Sequence, residues 1–238
     1  LESSKRPPET AVMFLKDLAD WQNPKSLMNR MRSKRMAVFD SLVVSLPRPL
    51  RILDIGGTIH FWERRGWADR PDVMITVVNL AAEVSTHPTI VSVAGDAREL
   101  KDFASMSFDV VFSNSVIEHV GDFDQQQRMA NEVKRLAPKY WVQTPNYWFP
   151  VEPHFLFPGW QWLPEDIRVA MLMRRAFGWN GRCPDRNKAR EVVRHAQLLS
   201  RRDLKKMFPG ARLVPERFFG LVKSWVAVGG FESGDLIL

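Results

Sequence analysis

The sequence predicts an α/β protein: a doubly wound, mostly parallel sheet of seven strands, ending in an antiparallel hairpin and preceded by a helical cap. Three observations carry this. Short apolar runs alternate with helix-length segments between residues 51 and 144, the pattern that builds a parallel sheet. The first run, Arg51-Ile52-Leu53-Asp54-Ile55, stops at Gly56-Gly57-Thr58 and leads into a helix-prone segment. Such a turn brings backbone close to a ligand and puts free N–H groups at a strand end. Runs such as Val77-Val78 and Val110-Val111-Phe112 are apolar without alternation, as strands covered on both faces are.

In chain order, residues 1–10 carry Pro7 and Pro8 and read as a loose arm. Val12, Phe14, Leu15, Leu18 and Trp21 recur at helical spacing. A second helix is expected from Pro24 to Val44, with Pro47 just beyond it. Residues 1–46 are thus an arm and helical cap, and 47–238 the main domain. Strands are expected at Arg51–Ile55, Val73–Asn79, Thr89–Val93, Phe108–Ser113 and Tyr140–Thr144, with helices at Ile59–Trp67 and Asp122–Leu136. The pattern then breaks into an insertion spanning 145–199. Its first part, residues 145–164, holds five prolines and seven aromatics. That much proline excludes a regular helix, and that many rings exclude a solvated loop. Helices follow over Pro164–Phe177 and Asp185–Leu199, then a capping box at Ser200-Arg201-Arg202-Asp203 opening a helix to Phe208. Ala211–Phe219 and Leu221–Val228 meet at Gly220 as a terminal hairpin.

Composition narrows the function classes. The single cysteine, Cys183, excludes an internal disulfide framework and a cysteine metal cluster; a reducing cytoplasm is the simplest setting. The five histidines are scattered without metal-ligand spacing, and no apolar run reaches the roughly 18–20 residues needed to cross a bilayer. The net charge of +7 is concentrated: residues 167–206 hold twelve Lys/Arg against three Asp/Glu, an excess of +9, which leaves the remainder near −2. Such a region suits nucleic acid, a membrane surface or an anionic small molecule, or is a solvated helix face.

The order of features over residues 50–145 resembles the class I S-adenosylmethionine-dependent methyltransferases, of the type 11-like kind, with a Rossmann-like sheet. The resemblance rests on Leu53-Asp54-Ile55-Gly56-Gly57-Thr58, where Thr58 and His60 replace later glycines of the usual D-x-G-x-G-x-G. It rests also on Asn79-Leu80 after the second strand, on Gly95-Asp96-Ala97, and on the run from Phe108 through Ser113-Asn114-Ser115 to Glu118-His119-Val120. It implies S-adenosylmethionine as cofactor, held by Asp54, Gly56, Gly57, Thr58, Asn79, Leu80, Asp96, Ala97, Ser113 and Asn114. Asn79 stands where the family usually places an acid against the ribose, with Glu83 a less well placed substitute. Asp96 would accept the adenine amino group; alternatively it caps a helix over Ala97–Phe103. Arg30 or Arg35 is a candidate for the cofactor carboxylate.

At the acceptor end, His154, Glu152 and His119 are the candidate proton-handling groups, because a histidine titrates where a hydroxyl or phenol must lose its proton. Glu118 pairs with His119 in sequence, as in related lipid-modifying methyltransferases. Tyr147, Trp148, Phe149 and Trp160 are candidate substrate contacts, and core packing is the alternative for all of them. His195, Arg174 and Arg175 are candidate anion ligands. The expected function is methyl transfer to a small-molecule or lipid-like acceptor, at O, N or C. Two alternatives stand beside it: a nucleic-acid methyltransferase using residues 167–206, and a methyltransferase-like binding protein without turnover.

Overall fold

The computed structural model describes residues 27–232. The expected arm 1–10, the helix over 11–21 and Pro24 lie outside the described residues. Of those described, 42–149 and 195–232 form one compact unit, and 27–41 with 150–194 form another. The cap helix and the proline-aromatic insertion, separate parts in the sequence reading, therefore share a unit.

The first unit is a seven-stranded sheet of β1 (Leu50–Ile55), β2 (Val73–Asn79), β3 (Ile90–Ala94), β4 (Val110–Asn114), β5 (Lys139–Pro145), β8 (Arg212–Phe218) and β9 (Leu221–Gly229). Its order is β3-β2-β1-β4-β5-β9-β8. The first five pair in parallel, and β9 runs antiparallel to both β5 and β8. β1 lies between two parallel neighbours, Asp54 opposite Val77 on one side and Phe112 on the other. Five of its six residues are buried, as a central strand covered on both faces requires.

Three helices of this unit connect the strands. α2 (Ile59–Arg64) begins at Thr58, whose hydroxyl accepts from the Phe61 N–H at 3.2 Å, and ends at Gly66 in left-handed backbone. It stops short of the expected Trp67, which leaves the helix and packs its ring 5.5 Å from that of Trp62. α3 (Phe123–Leu136) is capped by the Asp122 carboxylate and turns Met129, Ala130, Val133 and Leu136 onto the sheet. They meet Leu53, Val111, Val142 and Ala227 there, together with Leu204 and Phe208 from the region of α6 (Arg201–Met207). Each fully buried Leu, Val, Met or Phe side chain among them contributes roughly 1.5–3 kcal/mol. α6 carries the expected capping box, with Ser200 and Asp203 bonding reciprocally.

Two expected helices are corrected. Residues 97–103 form turns instead of a helix, because side chains satisfy their backbone: the Leu100 N–H donates to Glu132, and Arg135 donates to the Leu100 and Phe103 carbonyls. The helix expected to reach Leu199 ends at Arg194. Residues 195–199 run back along the sheet unit, where the Gln197 N–H donates to the Glu118 carbonyl at 2.7 Å and Tyr147 N–H to the Leu199 carbonyl at 3.0 Å.

The second unit contains α1 (Leu27–Val44) up to Ser41, the two-residue strands β6 (Val151–Glu152) and β7 (Phe157–Pro158), and the helices α4 (Glu165–Arg174) and α5 (Arg186–Arg194). Phe155 stacks on Trp160 at 4.2 Å between ring centroids, over Val169, Leu172, Ala189 and Val193. The basic residues of α5 are largely compensated here: Arg186 and Arg190 pair with Asp166, and Arg190 and Arg194 with Glu165. Both acids lie just before residue 167, so a count begun there overstates the exposed positive charge. Among the described residues, no helix is long and apolar enough to cross a membrane.

Candidate active site

A cleft of about 330 Å³ opens at the carboxyl ends of β1 to β4, lined by Ile55 and Gly56, Val78 to Leu80, Gly95 to Arg98, and Ser115, Val116, His119 and Val120. Ligands of open parallel sheets bind at this end, where the strand order reverses between neighbours.

The β1 turn sets its floor. Gly56 has φ +75°, and a Cβ there would stand 2.5 Å from a Val116 methyl, so both the backbone sign and the approach of Val116 demand glycine. Its N–H donates to the Val78 carbonyl at 2.8 Å. The Asn79 amide donates to the Gly57 carbonyl at 2.7 Å and clamps the same turn from β2. This accounts for an amide where the family usually has an acid: a carboxylate would face that carbonyl with no proton to share.

Asp54 is not in the cleft. It is buried beneath Gly57, so close that a Cβ on Gly57 would overlap its carboxyl group, and Trp62 Nε1 donates to it at 2.7 Å. Its other oxygen is buried without a hydrogen-bond partner. Burial pushes the Asp54 pKa up to about 7, opposed by the Trp62 hydrogen bond. Four further cofactor candidates are likewise structural here. Gly57 covers Asp54, Thr58 caps α2, and the Ser113 hydroxyl donates to the Ile55 carbonyl at 3.1 Å. Asn114 ends β4 opposite Gln143. None of these lines the cleft. Gly56, Asn79, Leu80, Asp96 and Ala97 do.

Asp96 is held by Arg98, whose Nε donates to Oδ1 at 2.8 Å and which lowers the Asp96 pKa. Arg98 also donates to Gln125 at 2.6 Å, tying this wall to α3. Sequence reasoning passed over Arg98, since one arginine two residues from an acid has no distinctive signal. It also passed over Ser115, which has φ 58° and hydrogen bonds through its hydroxyl to Gln143 Oε1 at 2.9 Å. Left-handed backbone in a non-glycine residue clusters at functional turns.

His119 lines the cleft, and its Nδ1 stands 3.1 Å from Nδ1 of His195 and 3.3 Å from the His195 carbonyl. Glu118 faces inward and is buried; its carboxylate accepts from the Thr144 hydroxyl at 2.9 Å. Tyr147, Trp148 and Phe149 lie at the exit of β5 away from the cleft lining, Tyr147 edge-on to Trp148 at 4.9 Å and Phe149 edge-on to Phe218 at 6.3 Å. In the second unit, Glu152 accepts from the backbone N–H groups of His154 and Phe155 and lies 2.6 Å from His154 Nδ1. It orients His154 instead of facing solvent. Trp160, expected as a substrate contact, is 1% exposed and forms the centre of that unit's core.

Comparison with known proteins agrees with this architecture. The family model described as "Methyltransferase domain" matches residues 68–139. Uncharacterized proteins from two strains of Mycobacterium tuberculosis are 39% identical over 82 residues, which is 34% of this chain and 27% of theirs. The N-terminal domain of EvdMO1, solved in the presence of SAH and D-fucose, superposes with a TM-score of 0.50 at 14% identity over 98% of this chain and 100% of that one. A Rhodobacter sphaeroides protein provisionally assigned as a Zn-dependent alcohol dehydrogenase gives 0.51 at 8% identity, over 81% and 88%. At such identities the likeness is one of fold, a parallel sheet shared by many nucleotide-binding proteins. Fold and cleft thus define a Rossmann-like α/β domain with an antiparallel terminal hairpin. Over residues 68–139 the chain is similar to the methyltransferase domain that the family model describes.

Proposed function

We propose that this protein transfers a methyl group from S-adenosylmethionine to a small-molecule or lipid-like acceptor. The observation that carries the reading is the placement of Gly56, Asn79, Asp96 and His119 around one cleft at the carboxyl ends of parallel strands. The residues present fit the cofactor. Asn79 spends its N–H₂ on Gly57 and keeps its carbonyl oxygen as an acceptor for a ribose hydroxyl. Val78, Leu80 and Ala97 offer apolar surface for a base, and Asp96 an acceptor at the rim. The turn from Ser115 to Val120, pressed onto Gly56, borders the space left for the methionine part.

Bound there, the cofactor supplies a methyl group activated by a cationic sulfonium. The protein holds the acceptor atom in line with that group and excludes water. His119 is the proton acceptor of this reading. When its Nδ1–H donates to His195, Nε2 carries the lone pair; His195 is then a positioning residue that selects the tautomer. Glu152 does the same for His154, which makes His154 Nε2 the second candidate base.

Calorimetry with S-adenosylmethionine and with S-adenosylhomocysteine tests the cofactor assignment: no heat with either at saturating concentration overturns it. Incubating the protein with methyl-labelled cofactor and fractionated extract then identifies the acceptor, and label in nucleic acid alone would overturn the small-molecule assignment.

A further inference from the structure

We propose that the tip of the β8–β9 hairpin is a docking element for an anionic lipid surface. The inference goes beyond the methyl-transfer reading and does not depend on it.

The turn is Arg217-Phe218-Phe219-Gly220-Leu221-Val222-Lys223. Phe219 is 88% exposed and Leu221 53% exposed, so neither contributes to the core of its unit. Phe219 has φ 47°, uncommon for a bulky residue, and Gly220 has φ +80°. Arg217 donates to the Gly220 carbonyl at 3.0 Å and holds this turn closed. The two apolar side chains are therefore projected by an ordered tip. Behind it the Phe218 ring lies 4.6 Å from Phe219 and 6.3 Å from Phe149. The next residue back from Phe149 is Trp148, 64% exposed. Asn146 ties this segment to β9, through its N–H to the Lys223 carbonyl and its amide to the Val222 carbonyl. Exposed Phe, Leu and Trp side chains are thus gathered at one end of the sheet, supported from behind.

The flanking charge selects the occupant. Arg217 and Lys223 bracket the apolar tip, and with Glu216 counted the segment 216–223 keeps a net charge of +1. An apolar wedge with aromatic residues and a cationic rim suits the headgroup–acyl boundary of an anionic bilayer. A second copy of this chain meeting tip to tip would bring its own Arg217 and Lys223 to that rim, like charge against like. Edge pairing between copies is also discouraged, because the edge strand β8 carries Arg212, Pro215 and Arg217.

The test is co-sedimentation of the full chain with phosphatidylcholine vesicles and with mixed phosphatidylcholine–phosphatidylglycerol vesicles. The proposal expects binding to the mixed vesicles that weakens with salt, with the Trp emission shifting to shorter wavelength. Phe219→Ser with Leu221→Ser should lower the partition coefficient at least about tenfold. Arg217→Gln with Lys223→Gln should lower it about fivefold or more per charge. The Phe219→Ser/Leu221→Ser pair should leave the unfolding midpoint unchanged, and both pairs should leave the cofactor heat unchanged. Binding that ignores Phe219→Ser/Leu221→Ser would assign the attraction to general positive charge and overturn the proposal. No vesicle binding, or a Phe219-dependent dimer in sedimentation without vesicle binding, would overturn it as well.

Discussion

Replacing the buried carboxyl beneath the glycine turn should change how stability depends on pH. Asp54 is fully buried, Trp62 is its one hydrogen-bond donor among the described residues, and its pKa rises from an ordinary 3.8 to about 7. The folded-state value lies above the unfolded one, so the stabilisation is fully present below 3.8 and is lost as pH rises through about 7. The shift is about 3 pH units at about 1.4 kcal/mol each, so the folded protein should lose about 4 kcal/mol across that window. Asp54→Asn keeps an acceptor for Trp62 and cannot ionise. Its absolute stability is offset by whatever its new N–H₂ group meets, but its slope is not. Urea unfolding between about pH 5 and pH 7 should therefore give a wild-type curve falling about 1.4 kcal/mol per unit more steeply than the variant's. The Trp62 indole N–H resonance should titrate with its midpoint near the Asp54 value of about 7. Equal slopes in the two proteins would refute the reasoning and mean that Asp54 stays charged, or is solvated, in the folded state.

Three further outcomes follow from the same geometry. Gly56→Ala forces left-handed backbone on alanine and drives a Cβ to within 2.5 Å of Val116, at a cost of about 2–5 kcal/mol. In a Val116→Ala background the overlap is removed, and a double-mutant cycle should return about 1–3 kcal/mol of coupling; zero coupling would mean Val116 yields freely. Asn79→Asp replaces the donor to the Gly57 carbonyl with a repelling oxygen. It should destabilise the protein by about 1–3 kcal/mol and weaken cofactor binding about tenfold; an unchanged or tighter affinity in calorimetry counts against the clamp. His87 places one ring nitrogen against Asp69 and the other against Glu63, which requires both nitrogens protonated, and Asp69, then Glu63, raise its pKa. Its contribution is present below the ordinary 6.5 and lost as pH rises past the raised value. His87→Gln should thus lower the thermal midpoint near pH 6 and leave it unchanged near pH 9, roughly.

Much of this fold was legible in the chain alone. A parallel strand buried on both faces is written as an unbroken apolar run, and a cap or a turn as a residue at a fixed offset, so β2, the span of α3, the Ser200 cap and the hairpin at Gly220 stand at or near their expected positions. These signals depend on neighbours within a few residues. Tertiary structure decided which polar groups face the cleft. Asp54 and Asp96 look alike in sequence, yet Trp62 and Gly57 seal one away while Arg98 holds the other at the rim. His195 meets His119 only because residues 195–199 return along the sheet in place of a continuing helix. Trp160 became core for a similar reason, since a ring's packing partners come from distant parts of the chain. Local pattern sets the backbone path; the direction a side chain faces depends on what the rest of the chain packs against it.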